Sequence, residues 1–217
     1  MTPAPPTPQP TPVDEAVAAA LRGELIVIPT DTVYGIAARP DEPSATAALF
    51  AAKGRPRDLT LPVLVDGLVA ARRLATFDAA AETLAETFWP GPLTIVLPRT
   101  GASRGWDLGG HPDTVGIRVP RHPLALAVLE RSGPLAVSSA NRSGEPEATT
   151  CDELTRAFGD RVSVYLCEET PLEGNASTVV DLAHVPPRLV RSGDVAPEVR
   201  AILGAAGRPL LDSMFPA

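Results

Sequence analysis

Leu25-Ile26-Val27-Ile28-Pro29-Thr30-Asp31-Thr32-Val33-Tyr34-Gly35 is the stretch on which the fold class turns. Its first part, Leu25–Pro29, is a short continuous apolar run, the pattern of a strand covered on both faces. Pro29–Gly35 then turns abruptly polar, and α/β proteins place ligands in such segments at strand ends. Two threonine hydroxyls and a carboxylate could bind a small polar ligand there. They could equally build a hydroxyl-capped turn, and spacing alone leaves both open.

Outward from this stretch, helix and strand signals alternate. Upstream, Thr11-Pro12-Val13-Asp14 offers an N-cap, a proline at the first helical position and an acid in the first turn, for a helix running to Arg22 and stopping at Gly23. Downstream, helices are expected at about Ser44–Ala52, Leu68–Leu74, Asp78–Phe88, Pro123–Arg131, Thr150–Phe158 and Pro197–Leu203. Thr150 with Glu153 resembles a capping box. Strands are expected at Pro62–Val65, Leu93–Leu97, Thr114–Val119, Pro134–Ser138, Val162–Cys167, Ser177–Asp181 and Arg188–Arg191, and Phe88–Pro92 must break the chain. Several strands are consecutive, so the expected fold is a single α/β domain with a twisted open mixed sheet and helices on its faces.

Composition bounds the function. The 217 residues suit one domain, and 19 basic against 26 acidic residues leave a net charge of −7. That balance argues against coating nucleic acid through bulk positive charge. Cys151 and Cys167 are too far apart for a CxxC site and too few for a disulfide scaffold, and His111, His122 and His184 are scattered, so no metal motif shows. No apolar run approaches the roughly 20 residues of a membrane span, which makes cytoplasm the default location. Residues 1–12 read as a Pro-rich disordered tail, 13–204 as the domain and 205–217 as a C-terminal tail. Among the 19 basic residues a single one, Lys53, is lysine.

Three further polar segments sit beside elements. Lys53–Arg57 (KGRPR) could hold a polyphosphate; cations complementing a helix C-terminus would explain Lys53 but not Arg55 and Arg57. Ser138–Gly144 (SSANRSG) is a donor-rich loop suited to phosphate or ribose, or else an ordinary Ser/Asn turn. Asn175–Asp181 (NASTVVD) introduces a strand with Ser177 and Thr178. GxxxxGK[ST], GxGxxG and GxSxG are absent, so cationic side chains and hydroxyl loops would have to bind any nucleotide.

Taken together, PTDTVYG, KGRP, FWPGPLT, TVGIRVP-x-HP, SSANRSG and STVVD, in this order from about Glu24 to Gly193, resemble the YrdC-like family. The resemblance implies an open α/β sheet around a basic cavity and an L-threonylcarbamoyladenylate synthase. A carbamate made from L-threonine and bicarbonate would attack the α-phosphorus of ATP, on the route to threonylcarbamoyladenosine in tRNA. It assigns Lys53 and Arg55 to the ATP phosphates, Ser139 to the nucleotide with Asn141 supporting its loop, and Thr114 and Arg191 to further nucleotide contacts. Thr32 and Ser177 would contact threonine and Arg118 its carboxylate. Mg2+ would arrive with ATP. Tied to the same resemblance are tRNA-modification partner proteins and double-stranded RNA binding.

Three positions depart from the family pattern: Leu59 and Leu64 stand where Asn and His often stand, and Glu147 replaces a small hydroxyl residue. These leave selectivity for threonine open. Two other readings compete. One is a paralogue with another carbamoyl or acyl acceptor. The other is a non-catalytic RNA-binding module, against which the net charge and the lack of basic runs favour a small-anion cavity.

Overall fold

The computed structural model describes residues 11–172 and 174–212. The helix α1 (Pro12–Leu21) starts at a capping box in which the Thr11 hydroxyl accepts from the Asp14 amide and the Asp14 carboxylate accepts from the Thr11 amide. There follow β1 (Ile26–Ile28), β2 (Gly35–Ala38), α2 (Pro43–Lys53), β3 (Val63–Leu64), α3 (Leu68–Leu74), α4 (Ala79–Phe88), β4 (Leu93–Pro98) and β5 (Thr114–Arg118). The chain continues through α5 (Pro123–Ser132), β6 (Leu135–Ser139), α6 (Cys151–Phe158), β7 (Val164–Tyr165), β8 (Thr178–Asp181), β9 (Arg188–Arg191), α7 (Ala196–Ala205) and β10 (Leu211–Asp212).

All ten strands form one sheet in the order β10-β9-β8-β4-β5-β3-β6-β2-β1-β7. The pairs β1/β7, β3/β5, β4/β8 and β9/β10 are parallel and the rest antiparallel, so the sheet is mixed and open. Side chains alternate across a sheet, so register decides which residues share a face. Val63 pairs with Ile117 and Ala136, and Ile95 with Ile117. This row points to a core closed by α2, α3, α4, α6 and α7. The opposite face carries Ile26, Ile28, Ala37, Val137, Leu135 and Leu64, and α1 and α5 cover only that part of it. Arg118, Gly116 and Thr114 continue the same face along β5. The nearest neighbours of a Cβ at Gly116 would be side chains of Thr94, Pro62 and Val96, and the apolar cluster under α1 and α5 includes no residue of β5. The sheet is thus sandwiched on one side and half-bare on the other. The bare half is where a ligand can reach it.

Three features differ from the sequence reading. Gly35–Ala38 is a strand, although small residues after a polar segment give no strand signal. Leu211–Asp212 pairs with β9 inside the expected C-terminal tail. Cys151 and Cys167 are joined in a disulfide, because β7 brings the end of its strand beside the start of α6. Residues 1–10 and 213–217, which carry most of the expected N-terminal tail and the end of the C-terminal one, lie outside the described residues.

Candidate active site

The cleft on the bare half-face is lined by Thr30, Thr32, Tyr34, Arg55, Leu64, Thr94, Arg118, Ser139, Glu147, Ser177 and Arg191, among others. Leu64, Thr94, Arg118, Ser139 and Arg191 lie in β3, β4, β5, β6 and β9, and the others in the connecting loops. The polar stretch after β1 does both of the things its composition allows. Thr30 caps the turn: its hydroxyl donates to the Val33 carbonyl at 2.6 Å and accepts from the Thr32 and Val33 amides, both at 3.2 Å. Thr32 instead turns its hydroxyl toward Arg118, which donates to it from Nη1 at 2.9 Å.

Arg118 is 6% exposed and held on three sides. Nε donates to the Gly91 carbonyl at 2.9 Å, and Nη2 to Asp31 Oδ1 at 2.6 Å. Asp31 also accepts from the Arg121 amide at 2.8 Å. Phe88–Pro92 supplies the Gly91 carbonyl by turning sharply, and a Cβ at Gly91 would run into the Phe88 carbonyl. A guanidinium has five N–H groups, so one on each terminal nitrogen remains free to meet a planar oxyanion. Burial pulls the Arg118 pKa down and Asp31 opposes that pull.

Across the cleft, Ser177 Oγ lies 3.0 Å from Thr94 Oγ1 and accepts from Arg191 Nη2 at 2.9 Å, while Arg191 Nε donates to the Ser177 carbonyl at 2.8 Å. Arg55 reaches the cleft past the left-handed Gly54 that ends α2, and is steadied by the Leu59 and Thr60 carbonyls at 3.4 and 3.3 Å. Burial lowers the pKa of both Arg55 and Arg191.

Lys53 behaves differently from its neighbour. Its side chain is buried beneath the loop after β6, and Nζ donates to the Ser139 carbonyl, to the Asn141 carbonyl at 2.7 Å and to Asn141 Oδ1 at 3.1 Å. An ammonium has three N–H groups, so all are engaged. Burial, and then the nearby Arg55 charge, depress its pKa to about 8. Asn141 completes the loop: Oδ1 accepts from Ser139 Oγ at 2.7 Å and Nδ2 donates to the Glu145 carbonyl at 2.6 Å. Arg57 is not part of the site. It pairs with Asp107 and covers the Phe50 ring at 4.7 Å, so the three cations of KGRPR do not form one cluster.

Of the residues singled out from sequence, Thr32, Arg55, Arg118, Ser139, Ser177 and Arg191 converge on the cleft. Lys53 and Asn141 lie behind it, holding the Ser139 loop. Thr114 is on the same sheet face but four residues from Arg118 along β5, about 13 Å, and outside the lining. Sequence reading missed Thr94 and Tyr34, and it read the Asp31 carboxylate as a ligand group, whereas the structure pairs it with Arg118. Thr94 had a signal, being the one hydroxyl in an otherwise apolar strand. Tyr34 had none: it is buried in the core and its hydroxyl accepts from the Glu168 amide at 2.9 Å. Among the described residues no helix is long and apolar enough to cross a membrane, and no group of three His, Cys, Asp or Glu could hold a metal ion.

Known proteins resemble this chain in sequence and in fold. The Sua5_yciO_yrdC family model, described as "Telomere recombination", matches residues 18–193. A Mycobacterium tuberculosis homologue is 44% identical over 192 residues, covering 87% of this chain and 88% of its own. The threonylcarbamoyl-AMP synthase of Halorhodospira halophila is 37% identical over 169 residues, 76% of this chain and 87% of that one. Pyrococcus abyssi Sua5, solved in complex with L-threonine, superposes with a TM-score of 0.81 at 33% identity over 91% of this chain. This chain spans 58% of that longer protein. Match length and identity agree with the geometry: the chain belongs to the Sua5/YciO/YrdC family.

Proposed function

We propose that the chain is a threonylcarbamoyl-AMP synthase, making threonylcarbamoyl-AMP and pyrophosphate from L-threonine, bicarbonate and ATP in the cytoplasm, for threonylcarbamoyladenosine formation in tRNA. The observation that carries the reading is the pairing of two differently prepared walls. One holds Arg118 with two free N–H groups beside the Thr32 hydroxyl, suited to an amino-acid carboxylate. The other gathers Arg55, Arg191 and the Ser139 loop, suited to phosphates.

The chemistry needs little more than this. The threonine amine and bicarbonate form a carbamate with loss of water. A carbamate oxygen then bonds to the α-phosphorus as the bond from that phosphorus to the bridging oxygen of pyrophosphate breaks. Such in-line transfer depends on alignment and on neutralising charge, not on a covalent nucleophile. Arg55 and Arg191 take the charge growing on the leaving phosphates. Thr32 and Arg118 hold the acceptor still. Among the described residues the cleft wall offers one carboxylate, Glu147, and no preformed metal cage. That donor set fits magnesium arriving with ATP, a cation that keeps phosphates and waters as most of its ligands and supplies charge neutralisation. Partner proteins would carry the product onward to tRNA.

The test is threonine-dependent pyrophosphate release by the purified chain with ATP, magnesium and bicarbonate, with serine run beside threonine because Leu64 lines the cleft. Release that requires threonine supports the reading. Folded protein that releases none overturns it.

A further inference from the structure

Four charged side chains line the cleft: Arg55, Arg118, Arg191 and a single carboxylate, Glu147. Asp31 already neutralises Arg118 at 2.6 Å. Arg55 and Arg191 make their hydrogen bonds to carbonyls and to the Ser177 hydroxyl, and no ion pair engages either among the described residues. Glu147 is exposed at the mouth, makes no side-chain hydrogen bond among the described residues, and acts through its field on Arg191 and Lys53.

A lone carboxylate on the wall of a polyanion site is a physical problem. Like charges brought close together at a protein surface repel each other, and little solvent remains between them to screen the repulsion. A hard divalent cation between them reverses the sign. Magnesium takes oxygen ligands, keeps several waters, and is held by one or two carboxylates plus the phosphates of its nucleotide. The other candidates are unavailable to it: Asp31 is engaged by Arg118 and the Arg121 amide, and Asp58, which faces Arg55, does not line the cleft.

We propose that Glu147 supplies the one protein carboxylate oxygen to the divalent cation that enters with the triphosphate. The proposal rests on the ATP-binding reading above, and it gives this chain a metal contact that the small hydroxyl residue of the family pattern would not provide. The experiment is calorimetric titration of the full chain with a non-hydrolysable ATP analogue, once with magnesium chloride and once with EDTA.

For the wild type, magnesium tightens binding by about tenfold or more; in Glu147→Gln the ratio falls to about threefold or less, since the neutral amide neither repels free phosphate nor binds the cation well. Glu147→Asp, which keeps the charge, retains a larger ratio than Glu147→Gln. A Gln variant with the wild-type ratio overturns the assignment of Glu147 while leaving ATP binding intact. If no form binds the analogue with or without magnesium, the ATP reading fails and the proposal falls with it. Thermal melting of each variant checks that the fold is unchanged.

Discussion

Lys53 shows how much depends on the shape of a charge as well as its sign. Its compact ammonium sits among the carbonyls of Ser139 and Asn141 and the Asn141 side chain, three acceptors that one nitrogen meets together and that a larger planar guanidinium would have to push apart. Lys53→Arg therefore displaces the Ser139 loop: kcat/KM for ATP is expected to fall by about tenfold or more despite the retained charge. Wild-type kinetics in that variant would remove Lys53 from the account. Its pKa of about 8, against 10.5 for a free lysine, also sets a pH dependence. Through that window the unfolded chain binds more protons than the folded one, so this group's contribution to stability rises with pH. Activity moves the other way, because the neutral amine loses a donor to the loop. The profile of kcat/KM for ATP should show a descending limb near pH 8, and Lys53→Arg should abolish it. Arg118→Lys tests the opposite wall. Losing the fork should raise the KM for threonine by about a hundredfold, roughly 2–3 kcal/mol, with little change in the KM for ATP.

The loop between β7 and β8 and the segment before α6 close on the cleft from one side and are tied to each other. The Leu172 amide donates to the Thr149 carbonyl at 2.9 Å, and Cys151 and Cys167 are bonded across a separation of 16 residues. A loop of that size is stabilised by about 3 kcal/mol when closed. Denaturant titration of Cys151→Ser with Cys167→Ser should show a loss of about 2–3 kcal/mol with the fold retained. No loss would mean that the bond does not constrain the unfolded chain. Gly174 is the tighter constraint, for a Cβ there would run into the Thr32 carbonyl oxygen. Gly174→Ala should push the loop off Thr32 and raise the KM for threonine more than it lowers melting temperature. An unchanged KM would show that the loop does not set the position of Thr32.

At the scale of the molecule, the decisive property is that helices cover one sheet face fully and the other by half. Much of this was legible in sequence, because apolar runs, caps and glycine stops are local signals. The two capping boxes, at Thr11 and Thr150, form as their residues dictate. What was not legible depends on pairing across the chain. Gly35–Ala38 becomes a strand only because β1 and β6 flank it. KGRPR reads as one cationic cluster, yet Asp107, Phe50 and the Ser139 loop draw its three charges to different places. Asp31 could not be matched to Arg118 from positions 87 residues apart.

The central claim is that this half-bare face joins a threonine-derived carbamate to adenylate. Mass spectrometry of the product formed from isotopically labelled bicarbonate, threonine and ATP tests it most directly. The account predicts threonylcarbamoyl-AMP carrying the label in its carbamoyl carbon, with an equal amount of pyrophosphate. Pyrophosphate released without threonine, or an adenylate lacking the label, would contradict it.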